Sequence, residues 1–321
     1  MRHLYSMMEH SHSVKQISDQ YYQLGEGPHW DDSQQCLYFV DIVANIIGRY
    51  DPATKTTNKA VVGGAKHVGF VIPVTGSTDR FVIGFDDKIT LIEWNGNANN
   101  VTIVKDLVTG LEPKMGRVND GKADFQGRLY TGTMLIDWTS SDVHCGVLVS
   151  YSPLDKPMLT TRVKNVGLSN GLAWNEKTGK MYYADSLKHA VTEYSYDSKT
   201  GNIGEGRVVF DSKLPLHGLP EGSLPDGITI DCDGHLWIAL FFGGRVVQVD
   251  VQNGEILKTV IIPTSQVTSV CFGGKNRDIL YVTTCSLGPN NKSLGQPAGA
   301  IFEVTGLGAK GLPANTVRLD N

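Results

Sequence analysis

One recurring motif restricts the fold of this chain more than any other property. Aromatic-rich β segments return along its length: CLYFVDI (36–42), RLYTGTM (128–134), KMYYADS (180–186), HLWIALF (235–241) and ILYVTTC (279–285), with a weaker copy, RFVIGFD (80–86). Residues of this kind suit a pleated, half-buried surface. Nearly every copy follows a polar turn such as DDSQQ, NEKTG or DCDG, and a further strand follows it, as in IIGRYDP (46–52) and RVVQVDV (245–251). A short apolar strand precedes most copies: GPHWD, GLAWN, GITID, SVCFGG. No segment reads as an amphipathic helix of ordinary length. The unit is a four-stranded antiparallel meander of roughly 45–55 residues, a period that belongs to propellers rather than to shorter-period β-helices. Six copies predict an all-β, six-bladed β-propeller. VKQISDQYY (14–22) has β character and is expected to supply the outer strand of the last blade, closing the ring. The expected division is a flexible tail over 1–13, with its histidines His3, His10 and His12 solvated, and one propeller domain over 14–321.

Composition narrows the function. The chain of 321 residues is 40% hydrophobic and carries a net charge of −4, which argues against a nucleic-acid binder. No apolar run approaches the roughly 20 residues of a membrane helix, and no signal peptide is visible at the start. The five cysteines, Cys36, Cys145, Cys232, Cys271 and Cys285, are odd in number and widely spaced, without a C-x-x-C pair. That pattern suits free thiols in a reducing cytosol better than a disulfide framework or a thiolate zinc site. A cytoplasmic protein, monomeric or weakly dimeric, is expected.

The inner strands carry the chemistry. Counting five residues back from the turn-opening Asp31, Asp124, Asn175 and Asp231 gives Glu26, Asn119, Asn170 and Asp226, in EGPHWD, NDGKAD, NGLAWN and DGITID. The last blade offers about Thr268, and the second blade, around HVGFVIP, no strong polar candidate. Asn, Asp and Gly are ordinary turn residues, but one offset shared by four blades points to a ring on the central channel. Buried carboxylates repel one another unless a positive group sits between them. A divalent cation answers that need, and all-oxygen donors suit Ca²⁺ first, with Mg²⁺, Mn²⁺ and Zn²⁺ as alternatives. The glycines after Glu26, Asn170 and Asp226 let the backbone turn or approach closely. Arg117 lies two residues before Asn119, so strand alternation aims both at the channel, with Val118 and Asp120 facing away. Such a pair can hold an oxygen-rich, partly anionic substrate. Arg117 in an ion pair with Asp120 or Asp124 is the structural alternative, and Asp120 is left between a supporting and a turn role.

Together GEGPHW, RVNDGKAD, TGTM, SNGLAW, PDGITID and TSVCFGG…LYVTT resemble the senescence marker protein/regucalcin/gluconolactonase family, which includes insect luciferin-regenerating enzymes. The resemblance runs from about residue 20 to about 318, and VTGLGAKGLP and EGPHWD look closest to the insect members. It implies a six-bladed propeller with one divalent metal on Glu26, Asn170 and Asp226, and substrate contacts from Arg117, Asn119 and Asp137. Many relatives carry Glu in place of Asp137, and Trp138 with its neighbouring serines departs from the family pattern in the lid region 137–146. The implied reaction is hydrolysis of a sugar lactone or related ester, the metal polarising the carbonyl and Asp226 acting as general base. No Ser-His-Asp arrangement competes, since Ser169 lacks a G-x-S-x-G setting, and His29, His67 and His217 read as structural. Rival readings are luciferin regeneration, with Trp138, Phe241 and Phe242 as aromatic lining; hydrolysis of aryl esters or organophosphates; and a calcium-binding regulator without catalysis. The last would need the channel site, because no EF-hand loop is present. An interaction propeller of the WD type would repeat Trp-Asp endings, which this chain does not.

Overall fold

Twenty-four strands form six four-stranded antiparallel sheets in a computed structural model that describes residues 12–113, 116–140 and 143–319. Five blades run in chain order, each from an innermost to an outermost strand: β2 (Gly25–Asp31) to β5 (Thr56–Val61), β6 (Val68–Pro73) to β9 (Thr102–Val108), β10 (Gly116–Ala123) to β13 (Leu159–Val166), β14 (Ser169–Asn175) to β17 (Asn202–Asp211), and β18 (Leu224–Ile230) to β21 (Ile256–Ile261). The sixth takes β22 (Val267–Gly273), β23 (Ile279–Thr284) and β24 (Phe302–Thr305), and its outer strand is β1 (Ser13–Gln16), paired from Ser13↔Thr305 to Gln16↔Phe302. The ring therefore closes through the N-terminal strand, as expected. The proposed tail lies outside the described residues apart from His12 and Ser13, and Ser13 already belongs to β1.

The aromatic repeats are the second strands. Each is buried on both faces, so it reads as a mostly apolar run, with threonines in two of the strands, rather than as an alternation. In β3 (Cys36–Asp41), Tyr38 and Val40 pack toward the second blade, while Leu37 and Phe39 pack toward the sixth. The same division repeats round the ring, so that each of six apolar clusters fills the seam between two neighbouring blades. At the closure seam Trp30 stacks on Tyr281 with ring centroids 5.5 Å apart. The turn-opening residues that mark the repeat fold the backbone back on itself: Asp31 Oδ1 accepts from the Ser33 and Gln34 N–H groups, and Asp124 and Asp231 do the same in their blades.

The chain after β24 crosses the channel end where the inner strands finish. Val317 N donates to Pro73 O, Arg318 N to Gly127 O, and Cys232 N to Lys310 O, all within 2.8–2.9 Å. Leu312 to Asn315 thereby stopper that end over His29 and Lys122. The opposite end, where the inner strands begin, stays open.

Candidate functional site

Every inner strand carries a β-bulge against its second strand. Two inner residues there oppose one partner, which disrupts alternation and re-aims side chains. Asn119, Asn170 and Asp226 are each the first residue inside the bulge. Glu26 is instead the last paired residue before it, opposite Val40, because blade one has one residue fewer between bulge and turn. Its longer side chain still reaches the same cavity. Gly27 adopts φ +53°, the left-handed turn expected after Glu26. Behind Asn170, a Cβ on Gly171 would lie 2.3 Å from Ile228 N and 2.6 Å from Asp226 O, so only glycine lets these two blades meet there.

Glu26, Arg117, Asn119, Asn170 and Asp226 all line one cavity of about 670 Å³ at the open end, and each is at most 8% exposed. A directional hydrogen-bond chain fixes the amides. Arg117 Nη1 donates to Asn119 Oδ1 (2.7 Å); Asn119 Nδ2 donates to Ser169 O (2.7 Å) and Asn170 Oδ1 (3.0 Å); Asn170 Nδ2 donates to Ser186 Oγ (2.8 Å); and Ser186 Oγ donates to Pro225 O (2.7 Å). Each amide thus has a defined flip. Arg117 makes no ion pair with Asp124, which is held by Arg128 at 3.2 Å.

Asp120 sits beside Asn119 in the bulge and is not among the residues lining the cavity; its Oδ1 accepts from Gly121 N (2.7 Å), and its charge acts on both Glu26 and Asp226 through the buried interior. One layer below, Lys122 Nζ donates to Ile228 O (2.8 Å) and feels the Asp120 charge, which supports the ammonium against its desolvation.

This cluster holds three carboxyl groups, Glu26, Asp120 and Asp226, against two cations, Arg117 and Lys122. Burial, then the neighbouring Asp120, pushes the Glu26 carboxyl up to about 8, with Arg117 opposing. Burial and the Glu26 charge push Asp226 well above the carboxylate range. Burial lowers Arg117 to about 10. Glu26 and Asp226 line the same cavity and their charges act on each other, and Asp226 Oδ1 is buried with no donor among the described residues. An orphaned carboxylate oxygen, a second carboxylate and an amide oxygen form a donor set that fits a hard divalent cation.

The remaining wall comes from links into the inner strands and from loops after the second strands. Carboxylates ending those second strands clamp the links: Asp41 accepts from Gln23 and Leu24 N, Asp86 from Lys66 and His67 N, and Asp185 from Gly167 and Leu168 N. Sequence reading missed these acids, although FVD, GFD and YAD at the ends of three repeats mark them. It weighed a place at a channel mouth for His67 and favoured a structural role. His67 lines the cavity, and burial followed by the Arg117 charge lowers its pKa. His29 belongs to the stoppered end, and His217 lies against Phe210, 5.0 Å between ring centres.

Asp137, expected to contact substrate, does not line the cavity. Its side chain is exposed and accepts from Thr139 N and Oγ1, at 3.2 and 2.6 Å. Its neighbours Ile136 and Trp138 line the cavity instead, from the turn that follows β11 (Leu129–Leu135) and is closed by Ser140 N donating to Asp137 O at 3.2 Å. Of the three aromatic candidates, Trp138 and Phe241 line the cavity, and Phe242 packs edge-on against Phe241 at 4.5 Å.

A second group of potential ligands, Asp231, Asp233 and His235, gathers within 4.8 Å in a turn. Asp231 there is saturated by Asp233 N, His235 N, Trp237 Nε1 and Gln248 Nε2.

Fold and site together define a six-bladed propeller with a carboxylate and amide ring buried inside the open end of its channel. Residues 24–286 match the SMP-30/Gluconolactonase/LRE-like region, and the chain belongs to that family. It is 35% identical to regucalcin of Danio rerio over 293 residues, covering 91% of this chain and 93% of the relative. It is 36% identical to human regucalcin over 296 residues, covering 90% and 92%. Among solved structures, a luciferin-regenerating enzyme superposes with a TM-score of 0.88 at 39% identity, covering 96% of this chain and all of the other. Among the described residues no helix is long and apolar enough to cross a membrane.

Proposed function

We propose that this protein is a divalent-cation-dependent hydrolase of lactones. The observation that carries this reading is the meeting, on one cavity wall, of Asp226 with its orphaned Oδ1, the Glu26 carboxylate and the Arg117–Asn119 donor pair. Glu26, Asn170 and Asp226 would hold the cation, with Ca²⁺ the first choice for an all-oxygen set and Mg²⁺, Mn²⁺ and Zn²⁺ the alternatives. When bound, the cation polarises the ester carbonyl and lowers the pKa of water at the site.

The chain's own groups do the rest. Asp226 accepts a proton from the attacking water. The water oxygen adds to the carbonyl carbon, the ring C–O bond breaks, and the departing alkoxide takes the proton back to give the hydroxy acid. Arg117 is locked by Asn119 Oδ1 and Val118 O, so its remaining donors are pre-aimed and orient the lactone without losing rotamer freedom. The apolar rim excludes bulk water and strengthens these contacts.

A second reading has an aryl substrate such as oxidised luciferin in the same cavity, and Trp138 and Phe241 on the wall favour it. A calcium-binding role without catalysis leaves the ordered Arg117–Asn119 pair without a task. The test is D-glucono-δ-lactone hydrolysis by metal-stripped protein, with each cation added back in turn, for wild type, Asp226→Ala and Arg117→Ala. The reading expects turnover that needs both the cation and Asp226, and a raised KM in Arg117→Ala. Full turnover by folded Asp226→Ala would sink it.

A further inference from the structure

The cavity segregates its chemistry by depth. Its charged and amide groups sit on the floor, in the ring of Glu26, Arg117, Asn119, Asn170 and Asp226. The rim is largely hydrocarbon. Val43, Ile136 and Trp138 line the mouth yet remain 39%, 51% and 38% exposed, and Phe241 continues this surface inward. Polar side chains outside the floor are few: Gln23, His67, Ser186 and Asn291. Ser186 is already committed to Asn170 and Pro225. A sugar lactone carries hydroxyls around its whole ring. Those facing this wall would lose water without gaining partners, which disfavours binding. The volume, about 670 Å³, lies in the range of roughly 300–1,000 Å³ that encloses a drug-sized molecule rather than one small ring.

We infer that the preferred substrate is an amphipathic lactone, with its ester ring on the polar floor and a hydrocarbon tail of several carbons along Val43, Ile136, Trp138 and Phe241. This rests on the lactonase reading and specifies its substrate class. Exposed apolar side chains gathered at a cavity mouth mark a surface that a ligand covers. The tail supplies that cover, and burying it removes hydrocarbon from water on both sides.

The test compares kcat/KM for δ-valerolactone, δ-hexalactone and δ-nonalactone, which share the ring and differ in tail, alongside D-glucono-δ-lactone. Each rate is divided by that of the uncatalysed lactone. Burial of a methylene on this wall is worth about fourfold, so four fully buried tail carbons should raise kcat/KM roughly 200-fold. In Trp138→Ala and Ile136→Ser, both at exposed positions that the fold tolerates, the long-to-short ratio should fall below about tenfold. A ratio that stays flat with tail length, with D-glucono-δ-lactone the best substrate, overturns the inference and leaves the lactonase reading standing. A rise with tail length that neither variant compresses overturns the assignment of the wall. If no lactone is hydrolysed with any cation, the lactonase reading fails and this inference fails with it.

Discussion

Replacing Asp226 by Asn should change the stability of this protein in opposite directions without and with a cation. In the metal-free protein, burial and the Glu26 charge raise the Asp226 pKa, and burial and Asp120 raise Glu26 to about 8. Groups with raised folded-state pKa values contribute their stability while protonated. It is fully present below the unfolded carboxylate pKa and is lost as pH rises through the folded values. At pH 5 the metal-free wild type therefore keeps most of it, and at pH 9 it has lost most. Glu26 owes its rise to burial and Asp120; what Asp226→Asn removes is the like-charge repulsion with Glu26 that raises Asp226 itself, for which we take roughly 2 kcal/mol. A domain of 321 residues unfolds with about 0.67 kcal/mol/K of entropy, so 1 kcal/mol moves Tm by about 1.5 °C. Metal-free Asp226→Asn should then melt about 3 °C above metal-free wild type at pH 9, and close to it at pH 5. Cation at 100 times its Kd adds about 2.7 kcal/mol, or about 4 °C, to the wild type. The variant, lacking a ligand, should gain almost nothing. Thermal melts by near-ultraviolet circular dichroism at both pH values, with and without cation, read all these differences. A variant less stable than wild type at pH 9 without metal would refute the repulsion argument. Equal cation-induced shifts in both proteins would remove Asp226 from the ligand set.

Three other perturbations test the supporting structure. Ser186→Ala leaves Asn170 Nδ2 and Pro225 O without their shared partner; cation affinity measured by calorimetry should fall about tenfold, and an unchanged Kd would show that Asn170 orients itself. His29, held neutral at the stoppered end, has its pKa lowered to about 4, chiefly by burial; a depressed pKa contributes stability present above the unfolded value of 6.5 and lost as pH falls through the folded one. Acid unfolding should therefore cost wild type up to about 3 kcal/mol more than His29→Asn between pH 6.5 and 4, read by urea titration, and equal slopes would count against it. Deleting residues 1–18 removes β1, the Ile17 N–H donation to Ile301 O (2.9 Å), and Val14 and Ile17 from their clusters; Tm should drop by about 5–8 °C, with association through the opened edge of β24 visible by light scattering.

The architecture was legible because two signals repeat with it. The second strands are buried on both faces and so are mostly apolar, and a carboxylate or amide that folds the turn, Asp31, Asp124, Asn175 or Asp231, marks the end of four of the six inner strands. Those marks located Glu26, Asn119, Asn170 and Asp226 by counting, and the structure gathers all four in one cavity. The counting worked in blade one although the residues there are out of step by one, because the glutamate side chain is longer. Simple alternation placed Arg117 and Val118 well, while the bulge at Asn119 and Asp120 leaves no trace in hydrophobic periodicity. The mouth was the least legible part. Leu24, Ile42, Val43, Leu168 and Leu287 sit in links and loops, where no period applies and only the closed ring brings them together. Asp137 followed a family pattern rather than a local one, and here Ile136 and Trp138 take the wall. The C-terminal stopper has no repeat to announce it.

Under the proposed function, lactone hydrolysis needs one cation on the Glu26–Asn170–Asp226 set. That requirement is tested most directly by following initial rates of D-glucono-δ-lactone and δ-nonalactone hydrolysis while metal-free protein, held well above Kd, is titrated with Ca²⁺ and, separately, Mn²⁺. The account predicts a rate that starts at the uncatalysed level and rises in proportion to added ion. It should break to a plateau at one equivalent per chain with at least one of the two ions. Turnover already present in the metal-free protein and indifferent to added ion would contradict it.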